Sequence, residues 1–135
     1  MPDITAGLDA TALFKNLSED KLTSVKELIT DIELMITNRK ELNKEILMHL
    51  DKVNLDLDNT ISKFQASANA ANSGEVMRAL GELRKKKIEL EELRLGEKLN
   101  FWRDVAMLKR ELREHIKELR EKESKSDLID TLLNE

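Results

Sequence analysis

The stretch Asn69–Glu75, written NAANSGE, is the one interior interruption of an otherwise strongly helical sequence. Its second half has the form of a capping box. In such a box Asn72 accepts a hydrogen bond from a free backbone amide, and Glu75 reaches back toward the start of the next helix. Apolar periodicity resumes at Val76. We therefore predict a turn near residues 69–75 between two helices. The alternative is one continuous helix bent at Gly74.

The two arms on either side of this turn have nearly equal lengths. Residues 18–71 and 73–124 would each form a helix on the order of 80 Å long at 1.5 Å per residue. Ser18, followed by two acidic residues, has the features of an N-cap at the start of the first arm. Matched arms favour an antiparallel pair in which residues equally distant from residue 72 lie opposite each other.

Apolar residues on the first arm recur in two adjacent stripes, with the spacing of a helix face. The first stripe comprises Val25, Leu28, Ile32, Met35, Arg39, Leu42, Ile46, His49 and Val53. The second stripe comprises Leu22, Ile29, Ile36, Asn43, Leu50, Leu57 and Phe64. Two stripes together are wider than the seam of a two-stranded pair, so each helix should touch more than one neighbour.

The second arm carries apolar residues on two nearly opposite faces. The first face comprises Val76, Leu80, Leu83, Leu90, Phe101, Val105, Leu108, Leu112 and Leu119, and it can meet the first arm. The second face comprises Ile88, Leu95, Leu99 and Trp102. Monomers rarely expose such a patch, so we predict that another chain covers the second face. Self-association into a dimeric four-helix bundle is expected, and a groove for a different protein is the alternative.

Two glycines lie inside the second arm, at positions 81 and 96. Each costs about 1 kcal/mol of helix stability relative to Ala. Either a close contact between helices or a bend could offset this cost, and the sequence favours neither.

Both ends of the chain differ from the middle, which gives three expected regions: 1–17, 18–125 and 126–135. The first region has the pattern of a short helix, and Ser126 with Asp127 could cap a short amphipathic helix at the C-terminus. These segments could pack on each other or on the arms. Alternatively, the C-terminal segment docks in a partner's groove. The docking residues would be Leu128, Ile129, Leu132 and Leu133.

Four consecutive basic residues on the second arm form a weak basic patch: Arg84, Lys85, Lys86 and Lys87. Pairing about residue 72 places them beside residues 57–60, with Asp56 and Asp58 close by. Ion pairing or solvation within the hairpin is the expected role. Binding of nucleic acid or acidic lipid is the alternative, but four charges without interleaved aromatics and a net charge of −4 make nucleic acid an improbable partner.

Composition and motifs favour no enzymatic chemistry. The chain is 40% hydrophobic, 37% charged and only 3% aromatic, as in long helices, and it lacks cysteine. We find no phosphate loop or nucleophile elbow, and we predict no catalytic residue, cofactor or metal site. Glu45 with His49 and Glu111 with His115 have a workable ligand spacing, but the pairing places them about 20 residues apart along the bundle.

Three polar residues fall in or beside the apolar stripes. His49 and His115 are predicted to be buried or half-buried positions that help to fix the register of the helices. Arg39 is predicted to do the same through a carboxylate on a neighbouring helix.

The sequence thus favours a non-enzymatic helical scaffold or adaptor that self-associates and mediates protein–protein interactions. An assembly or export chaperone that holds an amphipathic client helix is the alternative, and a small nucleic-acid-associated subunit is a weaker one. No apolar run reaches the roughly 20 residues that span a bilayer, and no signal peptide is recognisable, so a cytoplasmic location is expected.

Overall fold

The computed structural model describes residues 3–71 and 74–134, except for the side chains of residues 3–12, 14, 15, 18 and 68–71. These described residues form two helices and no strand. Helix α1 spans Asp3–Ala71 and helix α2 spans Gly74–Asn134. The two helices pack against each other, which confirms the predicted all-helical architecture. The capping role predicted for Asn72 lies outside the described residues.

Both helices extend further than the sequence pattern indicates. Helix α1 begins at Asp3 and continues through Ser18, and helix α2 continues through Ser126 to Asn134. The prediction of separate short terminal helices is therefore wrong. Ser and Asp cost a helix interior only a fraction of a kcal/mol, about 0.5 each, so neither residue needs to end a helix. Whether regions 1–17 and 126–135 are functionally separate stays a prediction.

Hydroxyl side chains inside the helices form hydrogen bonds within their own helix. Each donates to the backbone carbonyl four residues earlier, at 2.9–3.1 Å. The donors are Thr23, Thr30, Thr37, Thr60, Ser62, Ser67 and Thr131. This back-bonding satisfies hydroxyls that would otherwise compete with the helix for backbone groups.

Burial along α1 follows only part of the two predicted stripes. Every seventh residue from Val25 to Thr60 is buried or half-buried, and so is the whole second stripe. The buried or half-buried members of the first stripe are Val25, Ile32, Arg39, Ile46 and Val53. Its remaining members, Leu28, Met35, Leu42 and His49, are exposed. The contact with α2 is therefore narrower than the apolar face of α1.

The chain divides into two compact units. One unit contains residues 1–37 and 106–135. Its buried hydrophobic side chains in the described part are Val25, Ile32 and Ile36, all from α1. They belong to the two predicted stripes, so apolar periodicity identified this core correctly.

The other unit contains residues 38–105, and four ion pairs join its two helical segments, one of them between Arg39 and Glu97. The other three link Asp58 to Lys87, Asp51 to Arg94 and Arg39 to Asp104. Pairing about residue 72 predicts partners at positions 86, 93 and 105, so each of these three partners lies within one residue of its predicted position. The segments are antiparallel, and a continuous bent helix is excluded.

Neither interior glycine of α2 marks a close helix contact. A Cβ atom built at Gly81 or Gly96 has no other atom within 4 Å, apart from its chain neighbours and the backbone of its own helix. Neither glycine has a positive φ. The close contact considered for these positions is therefore absent among the described residues. A methyl group at either position would fit without strain.

Replacing Gly81 or Gly96 by Ala should stabilise the protein by about 1 kcal/mol each, because Ala has the higher helix propensity and meets no obstacle. Urea unfolding followed by circular dichroism measures the change. The matched control is Ala106→Gly at an exposed position of α2, which should destabilise by a similar amount. Loss of stability in both Gly→Ala variants would show that these positions need glycine.

Candidate interaction face and the ion pairs that position it

Arg39 on α1 binds two carboxylates on α2. Its Nη1 donates to Oε1 of Glu97 at 2.8 Å, and its Nε donates to Oδ2 of Asp104 at 3.0 Å. The side chains of Arg39 and Glu97 are only 14% and 12% exposed, whereas that of Asp104 is 41% exposed. The guanidinium therefore forms one well-covered pair and one that water reaches. We call these three residues the Arg39 cluster.

The surroundings of Arg39 favour its charged form over the neutral one. Its hydrogen bond to Glu97 raises the pKa of the guanidinium, burial lowers it in part, and the hydrogen bond to Asp104 raises it again. The guanidinium carbon also lies 5.5 Å from the centre of the Phe101 ring, within range of a cation–π interaction. These contacts confirm that Arg39 binds carboxylates on a neighbouring helix.

Neither carboxylate was predicted from the sequence. Pairing about residue 72 places residue 105 opposite Arg39, so Asp104 could have been found by searching the adjacent positions. Glu97 is seven residues earlier, two helical turns along α2. Only the length of the arginine side chain brings it within reach, and a residue-by-residue pairing rule does not include that length.

The basic run at 84–87 contributes one ion pair to the fold. Lys87 binds Asp58, and this hydrogen bond raises the pKa of Lys87 above its ordinary value, against a smaller lowering by desolvation. Arg84, Lys85 and Lys86 are exposed. Ion pairing within the hairpin is thus observed for one of the four residues. The weak basic patch keeps three exposed cations.

The second face of α2 lies open to solvent in the single chain. The exposed fractions are 58% for Ile88, 59% for Leu95, 62% for Leu99 and 79% for Trp102. On the other side of α2, Leu80 and Val105 are buried and Phe101 is half-buried. Helix α1 thus covers the first face and leaves the second face uncovered, which is the geometry that a partner-binding role requires.

A groove of about 610 Å³ runs beside the second face in the same unit. Apolar side chains from both helices line it, namely Ile46, Leu50 and Leu93. Three carboxylates also line it: the exposed Glu89 and Glu92 form an acidic rim, whereas Glu97 is largely buried and binds Arg39. The side of α2 next to the second face therefore carries two exposed negative charges beside apolar side chains.

Two asparagines of α1 lie in this unit with buried side-chain oxygens. The Oδ1 atoms of Asn43 and Asn54 have no hydrogen-bond partner among the described residues. Asn43 belongs to the second predicted stripe, so the apolar contact of α1 includes a polar side chain.

The two histidines differ from each other. His49 is exposed, so the prediction that it is a buried register position is wrong. His115 is half-buried, and its Nδ1 lies 3.3 Å from Oε2 of Glu118 on the same helix. Lys122 also binds Glu118, and the two contacts, Lys122 foremost, lower the pKa of that carboxyl. His115 thus interacts within α2.

The predicted docking residues near the C-terminus belong to α2 in the unit of residues 1–37 and 106–135. Leu128, Leu132 and Leu133 are exposed, and Ile129 is half-buried. They do not form a separate helix. Their role in docking stays a prediction.

Comparison of the chain with protein-family models, with curated proteins and with solved structures found no match. Within residues 3–71 and 74–134, neither helix is long and apolar enough to cross a membrane. In the same residues, no group of three His, Cys, Asp or Glu side chains is arranged to hold a metal ion.

Removing the Arg39 guanidinium should destabilise the protein by about 1.5–3 kcal/mol, because Glu97 would remain largely buried without its charged donor. The measurement is a double-mutant cycle of Arg39→Met and Glu97→Gln by urea unfolding. We expect a coupling energy of at least about 1 kcal/mol.

The matched control is Arg94→Met with Asp51→Asn, which removes an ion pair whose two side chains are 43% and 53% exposed. Its coupling energy should stay below about 1 kcal/mol, since solvent screens exposed pairs. Equal coupling in the two cycles would contradict a special role for the Arg39 cluster.

Proposed function

We propose that the protein is a non-enzymatic helical scaffold that self-associates through the second face of α2 and thereby presents surfaces to other proteins. The observation that carries this proposal is the exposure of Ile88, Leu95, Leu99 and Trp102 along one face of a helix whose other face packs on α1. Such a patch favours association, since removing a large apolar side chain from water stabilises by about 1.5–3 kcal/mol when burial is complete.

Self-association is proposed to produce a dimer whose two hairpin segments form a four-helix bundle. The wide apolar face of α1 supports this arrangement, because Leu28, Met35 and Leu42 are also exposed beside its contact with α2. Helices with apolar residues beyond a single contact are typical of bundles. The C-terminal residues Leu128, Leu132 and Leu133 are candidates for docking other proteins, and the cytoplasmic location remains part of the proposal.

Light scattering on the native chain and on Leu95→Glu/Trp102→Glu tests the proposal. The native chain should have twice the mass of one chain, and the double variant should be a folded monomer, because two carboxylates would be desolvated at the interface. Circular dichroism checks that the variant keeps its helix content.

The matched control is Met48→Glu/Leu55→Glu, which introduces two carboxylates at exposed apolar positions of α1 in the same unit. This control should remain a dimer. A monomeric native chain would sink the proposed self-association and favour a protein that holds an amphipathic client helix on the same face. A double variant that stays dimeric would place the dimer contact elsewhere.

A further inference from the structure

Charges of opposite sign flank the two halves of the second face. Glu91 and Lys98 lie along one edge, and Glu92 and Arg103 lie along the other, each roughly 50–70° from the centre of the face at 100° per residue. All four side chains are exposed. On each edge the acidic residue precedes Leu95 and the basic residue follows it. The second face is therefore acidic in its first half and basic in its second half.

Within the chain, these charges make few contacts, and Glu91 attracts Lys87 one turn earlier on α2. Glu92 and Lys98 have no hydrogen bond or ion pair among the described residues. Arg103 contacts only its own helix, donating to Oδ1 of Asn100 at 3.1 Å and lying 4.0 Å from Oδ1 of Asp104. Ion pairs with another molecule are thus open to them.

We propose that a second copy of the chain covers this face in antiparallel orientation, with a two-fold axis at Leu95; the proposal rests on the self-association proposed above. Ile88 and Trp102 are equally distant from Leu95 along α2. In an antiparallel pair centred there, Ile88 of each copy packs against Trp102 of the other, and Leu95 packs against its own counterpart. Such an interface is isologous, as in most homodimers.

The same arrangement pairs opposite charges on both edges. In an antiparallel pair with this symmetry, each edge of one helix lies beside the same edge of the other. Glu91 then faces position 99 of the second copy, and the neighbouring Lys98 lies on the same edge as Glu91. On the other edge, Arg103 of the second copy reaches the acidic rim formed by Glu89 and Glu92. One like-charge approach remains on that edge, between Arg103 of the second copy and the exposed Lys85, which lies within two residues of the level of Arg103. Lys87 lies on the opposite edge and binds Asp58 in its own chain.

A parallel, in-register pair has the opposite electrostatics. In a parallel pair, the edge of one copy that carries Glu91 lies beside the edge of the other copy that carries Glu92. Residues with the same number are level with each other, so Glu91 of one copy lies close to Glu92 of the other. Arg84 likewise meets Lys85. Like charges that face each other across paired helices are destabilising. The charge pattern therefore selects the antiparallel orientation.

Disulfide cross-linking distinguishes the two orientations, because the native chain contains no cysteine. A disulfide needs Cα atoms about 4.4–6.8 Å apart, which facing positions of two packed helices can reach. Under mild oxidation, Leu95→Cys alone should form a covalent dimer. Ile88→Cys alone and Trp102→Cys alone should not cross-link, but an equimolar mixture of these two variants should.

The control is Met48→Cys, an exposed position on α1 that should not cross-link. Cross-linking of Ile88→Cys and of Trp102→Cys, each by itself, would overturn the antiparallel orientation in favour of the parallel one. Absence of cross-links in protein that light scattering shows to be dimeric would overturn the location of the axis while leaving self-association intact. A monomer by light scattering would overturn both proposals.

Charge reversal gives a second test that adds no cysteine. In the antiparallel pair, Glu91→Lys places two lysines beside each other at two symmetric positions, so the dissociation constant should rise about 5- to 10-fold. Glu91→Lys/Lys98→Glu should restore it to near the native value. In a parallel pair, Glu91→Lys would instead face Glu92 and tighten the dimer, and that result would overturn the proposal.

Discussion

The contact of Arg39 with Glu97 and Asp104 determines how α2 faces α1 in the unit of residues 38–105. One guanidinium binds carboxylates on two different turns of α2, and Glu97 is largely buried. Sliding the helices by one turn, about 5.4 Å, would separate Arg39 from these partners. Because the register and rotation of α2 are fixed, Phe101 and Val105 face α1, and Trp102 is directed to solvent.

The turn position and the apolar periodicity were enough to predict the two helices and their register. A single interruption at residues 69–75 fixes which residues lie opposite each other, and the Asp51–Arg94 pair agrees with that register within one residue. The role of Arg39 was also predictable, since a charge within an apolar stripe needs a buried partner. The choice of Glu97 was not, because it depends on the reach of one side chain.

Other features depended on physical differences that the sequence pattern does not resolve. Ser18 has the chemistry of a helix cap, but Ser also fits inside a helix at low cost, so α1 continues through it. On a straight helix, each residue is rotated by about 20° around the helix axis relative to the residue seven positions earlier. A stripe of residues seven apart therefore turns slowly around the helix, and periodicity alone did not show which part of the wide apolar face contacts α2. Val25 is buried, whereas Leu28 and His49 on the same stripe are exposed.

We propose that a second molecule covers the face of α2 that α1 leaves open. Trp102 is the single tryptophan and the most exposed large apolar side chain of that face, so its fluorescence reports directly on this contact. On dilution from high protein concentration, the emission should shift to longer wavelength as dimers dissociate and the indole enters water. An emission maximum typical of a solvent-exposed indole in protein that light scattering shows to be dimeric would contradict the account.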